Sequence, residues 1–164
     1  MTIELELTRG QVAVIDDIDA DLAEFKWCVQ AHHSGDFYAV RNAAHPKRMK
    51  VLLHRVILER VIGRPLTKTE LTDHVSGDKL DNRRTNLRIA TNAQNLRNRG
   101  KQRNNTTGFK GVAWHRTSEK WTAQIVVNGK KMHLGYFTTP EAAHAAYCIA
   151  ARELHGEFAN IGVK

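Results

Sequence analysis

The segment at residues 82–118 constrains the fold most, because it contains nine Lys and Arg residues and no Asp or Glu. It is also rich in asparagine, and asparagine and arginine are seldom buried in protein cores. The segment is therefore not expected to be there to fill an interior. The net charge follows the same division: residues 1–81 carry −2, residues 82–118 carry +9 and residues 119–164 carry +1.

An acid-free block of this kind attracts a polyanion and releases counterions on contact, so nucleic acid is the expected partner. A solvated basic linker is the alternative interpretation. A membrane surface is disfavoured, because the basic residues lack a bulky apolar helical face. No apolar run approaches the roughly 18 residues of a membrane span, and no signal peptide opens the chain.

The totals predict a soluble globular protein with one medium domain or two small ones, since 41% of the 164 residues are hydrophobic. The two cysteines, Cys28 and Cys148, lie far apart without a Cys-x-x-Cys partner. This argues against a zinc knuckle or a disulfide scaffold and favours a cytoplasmic location.

Hydrophobic patterning predicts an α+β fold in three parts. A β-rich segment with one short helix in DIDADLAEF comes first, and a helix in LHRVILERVI follows it. The middle part has two strands, ELTDH and LRIA, and a helix in NAQNLRNR. After a basic linker at residues 100–108, three strands (FKGVAWHR, KWTAQIVV and KMHLGYF) precede a helix that begins with the cap, proline and acid of Thr139-Pro140-Glu141.

Asp73 and His74 lie at the end of the first middle strand, and Asn95 lies one turn into the next helix. If these elements pack together, Asp73 and Asn95 meet across the unit while His74 faces the same cleft. Two oxygen ligands suit Mg²⁺, and a histidine takes a proton from an attacking water near neutral pH. From spacing alone the case is weak, because an Asp-His pair is common and asparagine is frequent in loops.

The order of these parts resembles the HNH endonuclease family over residues 50–99. LHRVILERVIGRPL and LTDHVSGDKLDNRRTNLRIATNAQN match phage and intron-encoded homing members of that family. The resemblance implies a ββα-metal unit with His74 as the general base and with Asp73 and Asn95 as ligands of one Mg²⁺ or Mn²⁺ ion. The middle asparagine of the signature falls on Asn86, which is expected to tie the loop together or to orient the imidazole.

Other polar residues of this part have two interpretations each. Asn82 is expected to shape the loop, and His54 is interpreted as structural, with a phosphate contact as the alternative. The basic residues are expected to contact DNA phosphates rather than solvent alone. Those within and after the unit are Arg83, Arg84, Arg88, Arg97, Arg99, Lys101 and Arg103.

The last part, residues 109–164, resembles the plant ethylene-response-factor (Apetala-type) DNA-binding domain through FKGV, KWTAQI, HLGYF and EAAHAAYCIAA. That resemblance implies a three-stranded sheet that lies in the major groove. Its groove-facing residues would be Lys110, His115, Lys120, Trp121, Gln124, Lys131 and His133. Trp114 either packs or contacts the DNA backbone. Ala113, Val126 and His133 depart from the plant pattern, so the plant target sequence does not carry over.

Together these patterns predict a homing-type HNH endonuclease, most simply a site-directed nickase of double-stranded DNA that works as a monomer without a small-molecule cofactor. Residues 1–99 would form the nuclease part, with its core at 50–99, and residues 109–164 would select the site. The N-terminal strands would support the nuclease unit and touch DNA through Arg41, Lys47, Arg48 and Lys50. A DNA-binding regulator with a degenerate nuclease unit and an RNA-binding accessory protein are the alternatives.

Overall fold

The computed structural model describes residues 1–32, 35–43, 49–102 and 104–162. The chain forms two compact units, Met1–Asn92 and Ala93–Lys164. Each unit has a hydrophobic core of its own and contains both helices and strands, so the expected α+β class is confirmed. No helix in the described part of the chain is long and apolar enough to cross a membrane.

The described strands of the first unit form three small antiparallel sheets. Strands β1 (Thr2–Glu6) and β2 (Val12–Asp16) form a hairpin, β3 (Cys28–Ala31), β4 (Phe37–Asn42) and β5 (Lys50–Leu52) form a sheet in that order, and β6 (Leu71–His74) pairs with β7 (Leu87–Ala90). The acidic segment after β2 is a 3₁₀ helix at Asp17–Glu24. The strand pattern of the sequence is therefore confirmed in this unit.

Helix α1 (Leu53–Ile62) follows β5 directly and packs against β4, β5, β6 and β7. Its buried face includes Leu53, Ile57 and Leu58, which are central to the core of the unit. The helix ends at Gly63, which has a left-handed φ of 70° that favours glycine. Helix α1 thus joins the sheet that contains β4 and β5 to the β6–β7 pair.

The loop between β6 and β7 is attached to strand β2 by backbone hydrogen bonds. The amide of Val14 donates to the carbonyl of Leu80 at 2.9 Å, and the amide of Asn82 donates to the carbonyl of Val14 at 2.7 Å. Backbone hydrogen bonds of this kind fix a loop that would otherwise be mobile. The N-terminal hairpin therefore supports the middle part of the chain, as the sequence predicts.

Asp19 strengthens this attachment from the buried side. Its carboxylate accepts two hydrogen bonds from Arg84, at 2.8 and 2.9 Å, and one from Arg60 on α1 at 3.1 Å. Burial raises the pKa of Asp19, but the hydrogen bonds from Arg84 and Arg60 outweigh it and hold the pKa below the ordinary value of 3.8. The ionised carboxylate thus joins three segments that are distant in sequence.

The second unit is a three-stranded antiparallel sheet packed on one helix. The strands are β8 (Val112–His115), β9 (Lys120–Val127) and β10 (Lys130–Phe137), with β9 in the centre, and the helix is α3 (Pro140–His155). Asn128 and Gly129 both have positive φ angles, as the predicted two-residue hairpin requires. The amide of Ala142 donates to the Thr139 side chain at 3.2 Å, which confirms the predicted helix cap.

Alanines let helix α3 lie close to the sheet. Ala143, Ala150 and Ala151 are buried in the same core as Val112 and Ala123. A side chain on Gly111 would lie 2.2 Å from the Tyr147 ring, so this glycine allows the close approach. The core is built from small residues on the helix and apolar residues on one face of the sheet.

Lys110 holds the segment before β8 to the second unit. Its ammonium group donates to the carbonyls of Arg97, Arg99 and Asn160 at 3.1, 2.6 and 2.9 Å. Burial lowers the pKa of Lys110 to about 8. The boundary between the units accordingly lies at Asn92, earlier than the linker that the sequence suggested at residues 100–108.

Replacing Asp19 with Asn should lower the free energy of unfolding at neutral pH by about 2–3 kcal/mol. The loss is below that of a fully buried pair, because both guanidinium groups are about one third exposed. The Asp19 pKa is lowered in the folded state, so its stabilisation is complete above pH 3.8 and is lost as the pH falls through the folded-state pKa. Urea unfolding at neutral and acidic pH measures both effects.

Asp21→Asn is the matched control, because Asp21 is an exposed partner of the same arginine, Arg60. Its effect should be much smaller. A difference between wild type and Asp19→Asn that stays constant down to the lowest pH at which the protein folds would contradict this role of Asp19.

Candidate active site and nucleic-acid interface

Asp73 and His74 are the last two residues of strand β6, and both are buried within the described structure. In the pairing of β6 with β7, Asp73 lies opposite Arg88 and His74 lies opposite Leu87. Because consecutive residues of a strand point to opposite faces, the carboxylate and the imidazole have different neighbours. The two must therefore be described separately.

The Asp73 carboxylate forms an ion pair with Arg88. The Nε atom of Arg88 donates to Oδ2 at 2.9 Å, and Nη2 lies 2.8 Å from the same oxygen. The Asp73 side chain is fully buried and that of Arg88 is 15% exposed. This ion pair is buried between strands β6 and β7. Arg88, a cation of the basic block, therefore binds Asp73, the predicted metal ligand.

The His74 imidazole lies in a group of aromatic rings. Its centroid is 5.2 Å from that of His54 on α1, with an interplanar angle of 75°, and 6.4 Å from that of Tyr38 on β4. Burial lowers the pKa of His74 and of His54 to about 3. Both rings are therefore neutral at neutral pH, and His54 packs against the predicted general base.

Two asparagines of the β6–β7 loop have different contacts. Asn86 accepts a hydrogen bond from the Ser76 amide at 2.8 Å and donates to the Asp81 carbonyl at 2.7 Å, so it ties the loop together. The contact to the imidazole comes from Asn82, whose Oδ1 lies 3.5 Å from Nε2 of His74. From the sequence, Asn82 was expected only to shape the loop. The catalytic role of Asn86 stays a prediction.

Asn95 lies half-buried on helix α2 (Asn92–Arg97), in the second unit, and its role as a metal ligand stays a prediction. Within the described ranges, no three His, Cys, Asp or Glu side chains form a group that could hold a metal ion. A hydrated Mg²⁺ ion needs only one or two protein oxygens, and the Asp73 carboxylate is a hard oxygen donor of that kind. The chemistry of this donor suits a hard, mostly hydrated ion, while in this structure the carboxylate is fully buried and bound to Arg88.

The basic block carries less free charge than its composition suggests. Arg83 is paired with Asp81, Arg84 with Asp19 and Arg88 with Asp73, while the ammonium of Lys110 is held by three carbonyls. Within the described residues, the remaining cations of this block have no ion pair; they are Arg97, Arg99, Lys101 and Arg116. Arg103, Lys47 and Arg48 lie outside the described residues.

The outer face of the second unit is the side of its sheet that points away from α3. According to the strand register, five of the residues predicted to contact DNA lie on this face. Tyr136, which was not predicted, lies there too. The five are His115, Lys120, Gln124, Lys131 and His133. Tyr136 is 48% exposed, and its ring lies 5.1 Å from that of His115 and 4.6 Å from that of His133.

Two of the residues expected to face the groove, Trp121 and Lys110, do not lie on the outer face. Trp121 alternates with Lys120 along β9, so it points toward the helix and packs against the core. Trp114, for which packing and a contact with the DNA backbone were both open, lies opposite Trp121 with the two ring centroids 5.1 Å apart, and it is 48% exposed. Lys110 precedes β8, and its ammonium group is directed at backbone carbonyls.

Replacing Arg88 with Met should lower the free energy of unfolding by about 3 kcal/mol, because the buried Asp73 carboxylate then loses its cationic partner. Adding Asp73→Asn to this variant should recover much of the loss. Urea unfolding followed by circular dichroism measures both changes.

Arg83→Met is the matched control for Arg88→Met, because it removes a more exposed pair from the neighbouring loop. It should cost far less stability. Equal losses from the two arginine variants, or no recovery in the double variant, would contradict a structural role for the Asp73–Arg88 pair.

The comparisons with known proteins place Asp73 and His74 within a recognised family domain. Residues 51–97 match the family model described as HNH endonuclease. The chain is 33% identical to Protein 3.8 of Escherichia phage T7 over 95 residues, which is 58% of this chain and 78% of the phage protein. It is 36% identical over 111 residues to an uncharacterized HNH endonuclease of Acanthamoeba polyphaga mimivirus, covering 67% of this chain and 56% of the viral protein. The chain therefore belongs to the HNH endonuclease family, with the family domain at residues 51–97.

Proposed function

We propose that the chain is a metal-dependent endonuclease that hydrolyses phosphodiester bonds in double-stranded DNA, and that it is a site-directed nickase of the homing type. The observation that carries this proposal is the buried Asp73–His74 pair at the end of β6, inside the HNH family domain. One such pair per chain favours a single cut per binding event.

His74 is the group that accepts a proton from the attacking water. Burial keeps its ring neutral, which is the form that a general base requires. A DNA phosphate next to the ring favours the imidazolium, so the basicity of His74 rises when the substrate binds. His54 and Tyr38 hold the ring from the side and limit its movement.

Asp73 and Asn95 are the residues that would hold the divalent ion. When bound, Mg²⁺ or Mn²⁺ polarises the phosphodiester and stabilises the departing 3′ oxygen. Arg88 fixes the Asp73 carboxylate and offsets its charge inside the protein. Asn86 keeps the loop after β6 closed through its hydrogen bonds to Ser76 and Asp81.

The second unit selects the site by placing its outer face against the DNA. The face presents lysine, histidine and glutamine side chains with an exposed tyrosine, a set that suits phosphates and base edges. This use of a three-stranded sheet is carried over from the sequence resemblance of residues 109–164 to the plant ethylene-response-factor domain, whereas the family match covers residues 51–97 alone. Arg97, Arg99 and Lys101 add contacts to the DNA backbone, since none of them is neutralised by an acid within the described residues.

Supercoiled plasmid or phage DNA with Mg²⁺ or Mn²⁺ tests the nuclease directly. The wild type should produce nicked circles, and His74→Ala should lower the rate by about 10²-fold or more, because a general base is lost. His144→Ala is the control, because His144 lies on α3 in the other unit. DNA binding without a metal-dependent cut in the wild type would support the regulator instead, and selective binding of RNA would support the accessory protein.

Lys131→Ala tests the outer face, with Lys130→Ala as its matched control. The two lysines are neighbours on β10 and both are exposed, but they point to opposite faces of the sheet. Lys131→Ala should weaken DNA binding and reduce the slope of log K against log salt by about 0.9, as expected for one lost phosphate contact. Fluorescence anisotropy at several salt concentrations gives both numbers, and equal effects of the two variants would contradict the proposed face.

A further inference from the structure

Asn82 is a fixed, buried side chain rather than a flexible loop residue. It is 1% exposed, and its backbone amide donates to the carbonyl of Val14 in β2 at 2.7 Å. Its side-chain Nδ2 donates to the carbonyl of Leu80 at 2.9 Å. Both ends of the residue are thus held by neighbours that do not depend on His74.

These contacts settle which way the amide group points. The carbonyl of Leu80 accepts hydrogen bonds and cannot donate them, so it requires the NH₂ group of Asn82 on its side. The oxygen Oδ1 must then face His74, and it lies 3.5 Å from Nε2. An acceptor is therefore presented to one nitrogen of the imidazole.

An acceptor at this position decides where a neutral imidazole carries its proton. If Nε2 were unprotonated, two lone pairs would face each other in a buried site of low dielectric constant, which is unfavourable. A proton on Nε2 instead makes a hydrogen bond to Oδ1, long at 3.5 Å but of a kind that often tightens when substrate binds. A neutral ring with its proton on Nε2 has its lone pair on Nδ1.

We propose that Asn82 is the positioning residue of His74: it holds the imidazole in the Nε2–H tautomer, so that Nδ1 is the nitrogen that accepts the proton from the attacking water. This inference rests on the proposed function for the role of Nδ1. The tautomer itself is argued from the contacts of Asn82 with Leu80 and His74, and it does not depend on nuclease activity. Strand β2 takes part indirectly, since it fixes the backbone of Asn82.

Nitrogen NMR of the whole protein tests the tautomer without any need for activity. Protein with ¹⁵N-labelled histidine is measured at roughly pH 8, above the ordinary pKa of the side chain, and His74→Ala identifies the His74 signals. Long-range proton–nitrogen correlations distinguish the two neutral tautomers. The Nε2–H pattern for His74 is expected in the wild type, and an Nδ1–H pattern would overturn the proposal.

Two variants separate the contact to His74 from the contact to Leu80. Asn82→Asp keeps an acceptor oxygen for the imidazole but loses the donor to Leu80, whereas Asn82→Leu loses both. The Nε2–H pattern should persist in Asn82→Asp and be lost or mixed in Asn82→Leu. In plasmid cleavage, Asn82→Leu should lower kcat by about 10²-fold with KM unchanged, as for a misplaced general base, and Asn82→Asp should keep most of the kcat.

The outcomes are distinguishable from one another. Equal losses of kcat in both variants would overturn the proposal, because Asn82 would then act only by tying the loop to Leu80. Should Asn82→Leu fail to fold, the wild-type spectrum and Asn82→Asp decide the matter. A wild type with the Nε2–H tautomer and no cleavage would refute the nuclease and leave the Asn82–His74 geometry intact.

Discussion

The pairing of buried carboxylates with arginines from later in the chain is the constraint on which the first unit depends. Asp19 binds Arg60 of helix α1 and Arg84 of the β6–β7 loop, and Asp73 binds Arg88 of the adjacent strand. A buried carboxylate without a cation is costly, so each pair must form when the unit folds. The first pair attaches the N-terminal hairpin to the loop, and the second fixes the residue beside His74.

Because of these ion pairs, the basic block at residues 82–118 has less charge available for DNA than its composition suggests. The block looks like a uniform polyanion-binding segment when its residues are counted, yet three of its arginines neutralise acids of residues 1–81 and the half-buried Lys110 donates to carbonyls. Charge that is paired internally attracts DNA much less than free charge does. In the proposed function, nucleic acid therefore contacts the remaining cations of the block and the outer face of the second unit.

The candidate site was predictable where its residues are neighbours in sequence. Asp73 and His74 are adjacent, and the strand that carries them is evident from its pattern, so their position at the end of β6 required no tertiary information, whereas the different neighbours of the two side chains did. Asn82, His54 and Tyr38 approach His74 only because a loop, a helix and a second sheet converge on it. Trp121 was misplaced for a different reason: the alternation of β9 groups it with Ala123 and Ile125 on the core side, but the family resemblance assigned it to the groove-facing side.

The sequence by itself determined the order of strands and helices, the two cores, the caps and hairpin turns, and the adjacent Asp73–His74 pair, because periodicity, turn residues and short spacing are local properties. Only the tertiary structure decided which arginines form ion pairs with carboxylates, which asparagine faces the imidazole and which residues share the outer face. Those outcomes depend on contacts between residues such as Asp19 and Arg84, 65 positions apart, and composition does not encode such contacts.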